Sequence, residues 1–127
     1  MSQNKNILII GMDPYTVDFS QPGFMPGLTA EKVMAQTEAE QKRLLDLGYN
    51  AGMALIDAKT NDLAQLTDLL KSKEFDAVMI GAGIRVPQIN FMLFERLINC
   101  VHEQAPHSKI TFNTSPADTL EAFKRWV

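Results

Sequence analysis

The residues best suited to chemistry fall in three short stretches, each just after an apolar run. Gly81-Ala82-Gly83-Ile84-Arg85 joins glycines, which let backbone approach a ligand, to a guanidinium whose forked donors suit phosphate or carboxylate. Asn113-Thr114-Ser115 adds an amide and two hydroxyls at a helix start, where unpaired amides and the helix dipole favour an anion. Gly11-Met12-Asp13-Pro14-Tyr15 supplies a further glycine, a carboxylate and a phenol. Asp13 or Tyr15 is the candidate for proton transfer, and Asp13 is placed to hold Mg²⁺ or orient a hydroxyl. Asp18 lies on the same loop, and Asp57 is a more distant candidate. A plainer reading stands beside each. Glycine after a strand is turn chemistry, Ser115 caps its helix, Arg85 pairs with Glu95 or Asp13, and Asp13-Pro14 opens a turn.

The cysteine and the histidines fail a geometric test. Cys100 and His102 lie twelve or more residues into a helix expected over 87–104, which carries them roughly 18–20 Å from its N-terminal end. His107 precedes the last strand and shares that remote edge. A Cys-His or Ser-His pair within one subunit is therefore not expected, and Cys100 reads as a small buried apolar residue. Any acid or base at the site must be Asp, Glu or Tyr, unless another subunit contributes. GAGIRV is a fragment of a dinucleotide fingerprint, but it follows the third strand and Pro87 comes next, so it does not signal NAD. Nothing in the sequence specifies a cofactor or a metal.

These residues are positioned by an alternating series of elements. Four continuous apolar runs read as strands covered on both faces: residues 6–12 (NILIIGM), 51–57 (AGMALID), 76–82 (DAVMIGA) and 109–113 (KITFN). Helical spacing follows each. The first helix is expected over 30–47, with Val33, Met34, Thr37, Leu44 and Leu45 at helical intervals, Thr29 as N-cap and Gly48 as the stop. The second covers 62–73, capped by Asn61 or Thr60, with Leu63, Leu66 and Leu70 on one stripe. The third spans 87–104 from a proline at its first position, and the fourth starts at Ser115 with a capping-box pattern and runs to the C-terminus.

The βαβαβαβα pattern predicts a single α/β domain over 1–127, a three-layer flavodoxin-like parallel sheet of four strands in the order 2-1-3-4, with helices on both faces. Ligands in such sheets bind beyond the carboxyl ends of the strands where the order reverses, here between strands 1 and 3. The stretch 13–28 (DPYTVDFSQPGFMPGL) is far longer than an ordinary connection and reads as a lid, a binding loop or an interface arm. Helix 87–104 is apolar on two sides, with Ile89, Leu93, Leu97, Cys100 and Val101 on one stripe and Phe91, Phe94 and Ile98 on another. The second stripe is expected to meet Phe19, Phe24 and Met25 of the loop or a second copy. Phe123 and Trp126 raise the same expectation, and a homodimer follows from it.

Composition narrows the class. Hydrophobic residues make up 46% and charged residues 21%, as in an ordinary globular domain. With 12 Lys and Arg against 15 Asp and Glu the net charge is -3, so the basic footprint of a nucleic-acid binder is missing. One cysteine suits a reducing compartment, and the apolar run 7–10 is too short for a signal peptide or a membrane helix. The expected location is the cytoplasm, with neither nucleic acid nor membrane as partner.

The stretches DPYTVDF, PGLTAEKV, GAGIRVP, LFERLINCVHEQAP and FNTSPADT resemble a group of short bacterial and fungal α/β proteins of uncharacterised function, a likeness over most of the chain. The resemblance implies a family without an established catalytic residue to transfer. The fold also resembles bacterial receiver domains, which use an acidic pair after strand 1 and a phosphorylated Asp at the end of strand 3. Here strand 1 ends Gly11-Met12-Asp13, with one acid, and strand 3 ends Gly81-Ala82-Gly83, so the phospho-acceptor is absent. A flavodoxin-type Thr- and Ser-rich phosphate loop after strand 1 is also lacking. Two functions follow as expectations: binding of a small phosphate- or carboxylate-bearing molecule at the carboxyl edge, with no reaction assigned, or a non-catalytic pseudo-receiver-like module for interaction or homo-oligomerisation.

Overall fold

Four strands, β1 (Asn6–Met12), β2 (Asn50–Ile56), β3 (Ala77–Ile80) and β4 (Lys109–Phe112), form one all-parallel sheet in the order β2-β1-β3-β4 in the computed structural model, which describes residues 5–127. Most of their side chains are apolar because both faces are covered, the exceptions being Asn6, Asn50, Lys109 and Thr111. Side chains alternate between faces along each strand. Ile7, Ile9, Ala51, Ala77 and Met79 therefore point to one layer, built by α1 (Ala30–Asp46) and α5 (Thr119–Lys124) with Leu44, Leu120 and Phe123. Leu8, Ile10, Ile56, Val78 and Ile80 point to the other, built by α2 (Ala64–Ser72) and α4 (Phe91–Gln104) with Leu66, Leu70, Leu93, Leu97 and Val101. The three-layer flavodoxin-like arrangement expected from the sequence is the one observed. Each fully buried side chain of this kind contributes about 1.5–3 kcal/mol.

Local chemistry sets the ends of α1. The Thr29 hydroxyl accepts from the Lys32 amide at 3.2 Å, and Gly48 follows the helix at φ 97°, a conformation glycine adopts without strain. α2 starts later than its periodicity suggests. Asn61 sits at φ 53°, the Asp62 carboxylate accepts from the Ala64 amide, and neither Asn61 nor Thr60 serves as the helix cap.

The third helix differs from its sequence reading. Instead of one helix over 87–104 there is a four-residue turn, α3 (Ala82–Arg85), a 3-10 turn at Gln88–Asn90, and then α4 from Phe91. Pro87 is the reason: it has no N–H to donate into a helix, and its extended ψ of 126° turns the chain. The Asn90 side-chain amide donates to the Gly83 carbonyl at 3.1 Å and ties the two pieces together. The fourth helix likewise begins as a 3-10 turn, Pro116–Asp118, and α5 ends at Lys124 rather than at the C-terminus.

The apolar surplus also sorts differently. Phe94 packs on Phe112, with ring centroids 5.9 Å apart, and Ile98 and Val17 of the long loop pack against the same core layer. Phe19 and Phe24 stack edge to face within the loop on the opposite side of the sheet. Phe123 is buried, whereas Trp126, Ile89, Phe91 and Met92 are exposed. Among the described residues no helix is long and apolar enough to cross a membrane.

Candidate functional site

The carboxyl edge of the α1/α5 face lacks side chains where the two central strands end. Gly81 donates its amide to the Ile10 carbonyl at 2.9 Å, continuing the register in which Ile10 pairs with Ile80, so Gly11 and Gly81 fall side by side. By strand alternation both belong to the face of Ile9 and Met79. A Cβ on Gly11 would meet only the Leu55 side chain at 3.8 Å, within ordinary contact distance. The missing side chains leave a cavity of about 410 Å³, within the rough 300–1,000 Å³ range of small-molecule sites.

The sheet provides its floor through Ile9, Gly11, Leu55, Met79 and Gly81. One wall is α1, which presents Val33, Met34, Gln36, Thr37 and Glu40. The roof is the long loop, with Pro14, Val17, Phe19, Phe24, Met25 and Leu28. The opposite rim carries Ala82, Gly83, Val86, Asn113, Ser115 and Thr119.

The loop is held near its start and at its tip. Near its start, the Thr16 hydroxyl donates to the Asp13 carbonyl at 2.7 Å and accepts from the Ala58 amide at 2.9 Å, pinning the 3-10 turn Pro14–Thr16 to the end of β2. At its tip Gly23 has φ 105° and lies so close to Pro87 that an added Cβ would fall 2.8 Å from the Pro87 Cα. Only glycine fits there, and the contact closes the loop against the connection after α3.

The structure brings some of the expected residues together and leaves others off the walls. Gly11, Gly81, Gly83, Asn113 and Ser115 line the cavity. Asp13 does not; its carboxylate accepts from the Tyr15 amide at 3.1 Å and caps the 3-10 turn. Tyr15 is exposed and also lies off the lining. Arg85 is exposed and also lies off the lining; a guanidinium nitrogen donates at 3.0 Å to the carbonyl of Asn113, which does line the cavity, rather than to Glu95 or Asp13. Asn113 is buried and already employed: its side-chain oxygen accepts from the Ala82 amide at 2.7 Å, and its nitrogen donates to the Thr119 hydroxyl at 3.1 Å.

Several donors expected to meet an anion are occupied by an internal carboxylate. Asp118 accepts from the Thr114 hydroxyl at 2.6 Å and from the amides of Thr114 and Ser115 at 2.9 and 3.2 Å. Partial burial pushes this carboxyl up, but the Thr114 hydroxyl and the Ser115 and Thr114 amides outweigh it and hold the pKa below the ordinary value. Asp18, fully exposed, is also lowered, by the Ser20 hydroxyl and amide and then by Gln21. Ser115 itself accepts from the Ala117 amide, the cap expected from the sequence.

One residue of the site was missed by sequence reasoning. Glu40 is 7% exposed and, among the described residues, is the single ionisable side chain lining the cavity. Both its oxygens face one nitrogen of Arg43, at 3.2 and 3.0 Å, and the Arg43 side chain is half exposed. The signal was present as a gap: the apolar stripe of α1 runs through Val33 and Thr37 to Leu44, and Glu40 occupies the turn between.

Cys100 is partly buried, with its sulfur 3.5 Å from the Thr67 hydroxyl, and His107 borders a shallow depression with Lys71 and Lys73 at the other edge of the sheet. Among the described residues no group of three His, Cys, Asp or Glu side chains could hold a metal ion. In comparisons with known proteins, no family model, curated protein or solved structure matches this chain.

Proposed function

We propose that the protein binds a small molecule with a mainly apolar body and an anionic end, the body lying in the covered cavity and the charge at its rim. The observation that carries this reading is the paired absence of side chains at Gly11 and Gly81 beneath an apolar roof. Arg85 has five N–H donors, and its bond to the Asn113 carbonyl orients the guanidinium while leaving others for a ligand. Gly83, in the first turn of α3, has no intrahelical acceptor for its amide. A carboxylate needs fewer donors than a phosphate, and the occupied amides of Ala82, Thr114 and Ser115 favour it. No reaction is assigned, because among the described residues the lining pairs no nucleophile with a base. A single free cysteine suits action in the cytoplasm.

Isothermal titration with octanoate tests this reading. Wild type is expected to bind at one site, Arg85→Ala more weakly, and Gly11→Val not measurably. Absence of binding to wild type, or equal binding by all three proteins, refutes it.

A second reading has an observation of its own. Val86, Ile89, Phe91 and Met92 are each more than half exposed and close in sequence across the start of α4. Exposed apolar groups this concentrated favour association with a second copy of the chain. Light scattering of wild type and Phe91→Asp checks it: a dimer that the substitution dissociates supports the homodimer, and a monomeric wild type rejects it.

A further inference from the structure

We infer that Glu40 selects ligands carrying a hydrogen-bond donor at the end that enters the cavity first, so that the molecule bound is an apolar chain with an anionic group at one end and a hydroxyl or amine at the other. This inference rests on the reading of the cavity given above and names the ligand class for it. A carboxylate has about four lone-pair positions, and Glu40 offers both oxygens to the same Arg43 nitrogen. The salt bridge supplies a counter-charge from the outer side of α1 but leaves acceptor capacity unfilled. Glu40 is more than nine-tenths buried and borders the cavity, so that capacity is available to its contents.

Position along α1 gives the ligand its length. Val33, in the first turn of α1, and Glu40, seven residues farther along the same helix, both line the cavity and lie roughly 10 Å apart at 1.5 Å per residue. The wall leading to Glu40 is Val33, Met34, Gln36 and Thr37, and the Thr37 hydroxyl is directed to the Val33 carbonyl at 2.8 Å. Val33, Met34 and the occupied Thr37 thus suit methylene groups, with the Gln36 amide beside them. A site whose buried acceptor is left unpaired by a ligand lacking a donor discriminates far more sharply than apolar packing alone. A second carboxylate at the inner end would meet the Glu40 charge and is disfavoured.

The test compares octanoate with its ω-hydroxy, ω-amino and ω-methoxy derivatives by isothermal titration against wild type, Glu40→Met and Glu40→Gln. Wild type is expected to prefer the hydroxy and amino compounds over the methoxy compound by roughly tenfold or more, the size expected for a hydrogen bond to a charged group. Glu40→Met should bind the methoxy compound at least as well as wild type and lose the preference. Glu40→Gln, which retains one acceptor oxygen, should keep part of it. If Glu40→Met fails to fold, Glu40→Gln and the wild-type preference still decide. Equal affinity of wild type for hydroxy and methoxy compounds, or a preference that survives Glu40→Met, overturns this inference while the cavity reading stands. Binding of none of the four compounds overturns the cavity reading itself.

Discussion

Gly11 and Gly81 lie beside each other at the ends of the two central strands, joined by the 2.9 Å bond from the Gly81 amide to the Ile10 carbonyl. Everything proposed for this protein depends on the space they leave. Had either carried the Ile or Met that precedes it by two residues on the same face, the floor would be filled and α1 would close on the sheet as it does at Leu44.

Gly11→Val is therefore expected to remove the binding site without unfolding the protein. Its Cβ meets only Leu55 at ordinary contact distance, and a β-branched residue suits a strand. Stability should change by less than about 1 kcal/mol, measured by urea unfolding. A loss above that would mean that the cavity is already collapsed around Gly11.

Gly23→Ala tests the closure of the loop. The φ of 105° and the 2.8 Å approach to the Pro87 Cα leave no place for a methyl group. The expected cost is about 1–3 kcal/mol, realised as release of the loop instead of global unfolding. Hydrogen exchange should show lost protection over residues 16–28 with β1 and β3 unchanged. Unchanged protection in the loop would show that this contact does not hold it.

Asn113→Leu should be more damaging than its size suggests. The buried side chain joins the Ala82 amide to the Thr119 hydroxyl, linking α3, β4 and α5. Removing it leaves a buried donor and acceptor unmet, about 1–3 kcal/mol for each. Thermal unfolding measures the loss, and a shift within error would show that water replaces the amide without cost.

The lowered pKa of Asp118 gives a pH dependence of definite sign. A depressed carboxylate adds stability above its unfolded value, near 3.8, and that contribution disappears as pH falls through the lower folded value. Asp118→Asn should lower stability at neutral pH and flatten the acid limb of the stability curve. An acid limb identical in the two proteins would exclude this contribution.

Much of this fold was legible because four uninterrupted apolar runs alternate with helical spacing, and this pattern admits few arrangements. Thr29 and Ser115 were readable as caps because their chemistry is local. Pro87 was ambiguous: proline suits the first position of a helix as well as a break before one, and only the contacts of Asn90 and Gly23 decide. At the site, Gly11, Gly81, Gly83, Asn113 and Ser115 follow from the rule that ligands gather beyond the carboxyl ends of strands. That rule draws attention to loops, so it passed over Glu40 in the middle of α1 and gave Asp13 and Tyr15 a place the 3-10 turn denies them.

The central claim is that an apolar molecule occupies the space between α1, the sheet and the loop. Mapping backbone amide shifts of isotope-labelled protein during titration with octanoate tests it most directly. The expected result is saturable change at Gly11, Met25, Thr37 and Gly83, absent in Gly11→Val. Changes confined to Phe91 and Met92, or none at all, would contradict it.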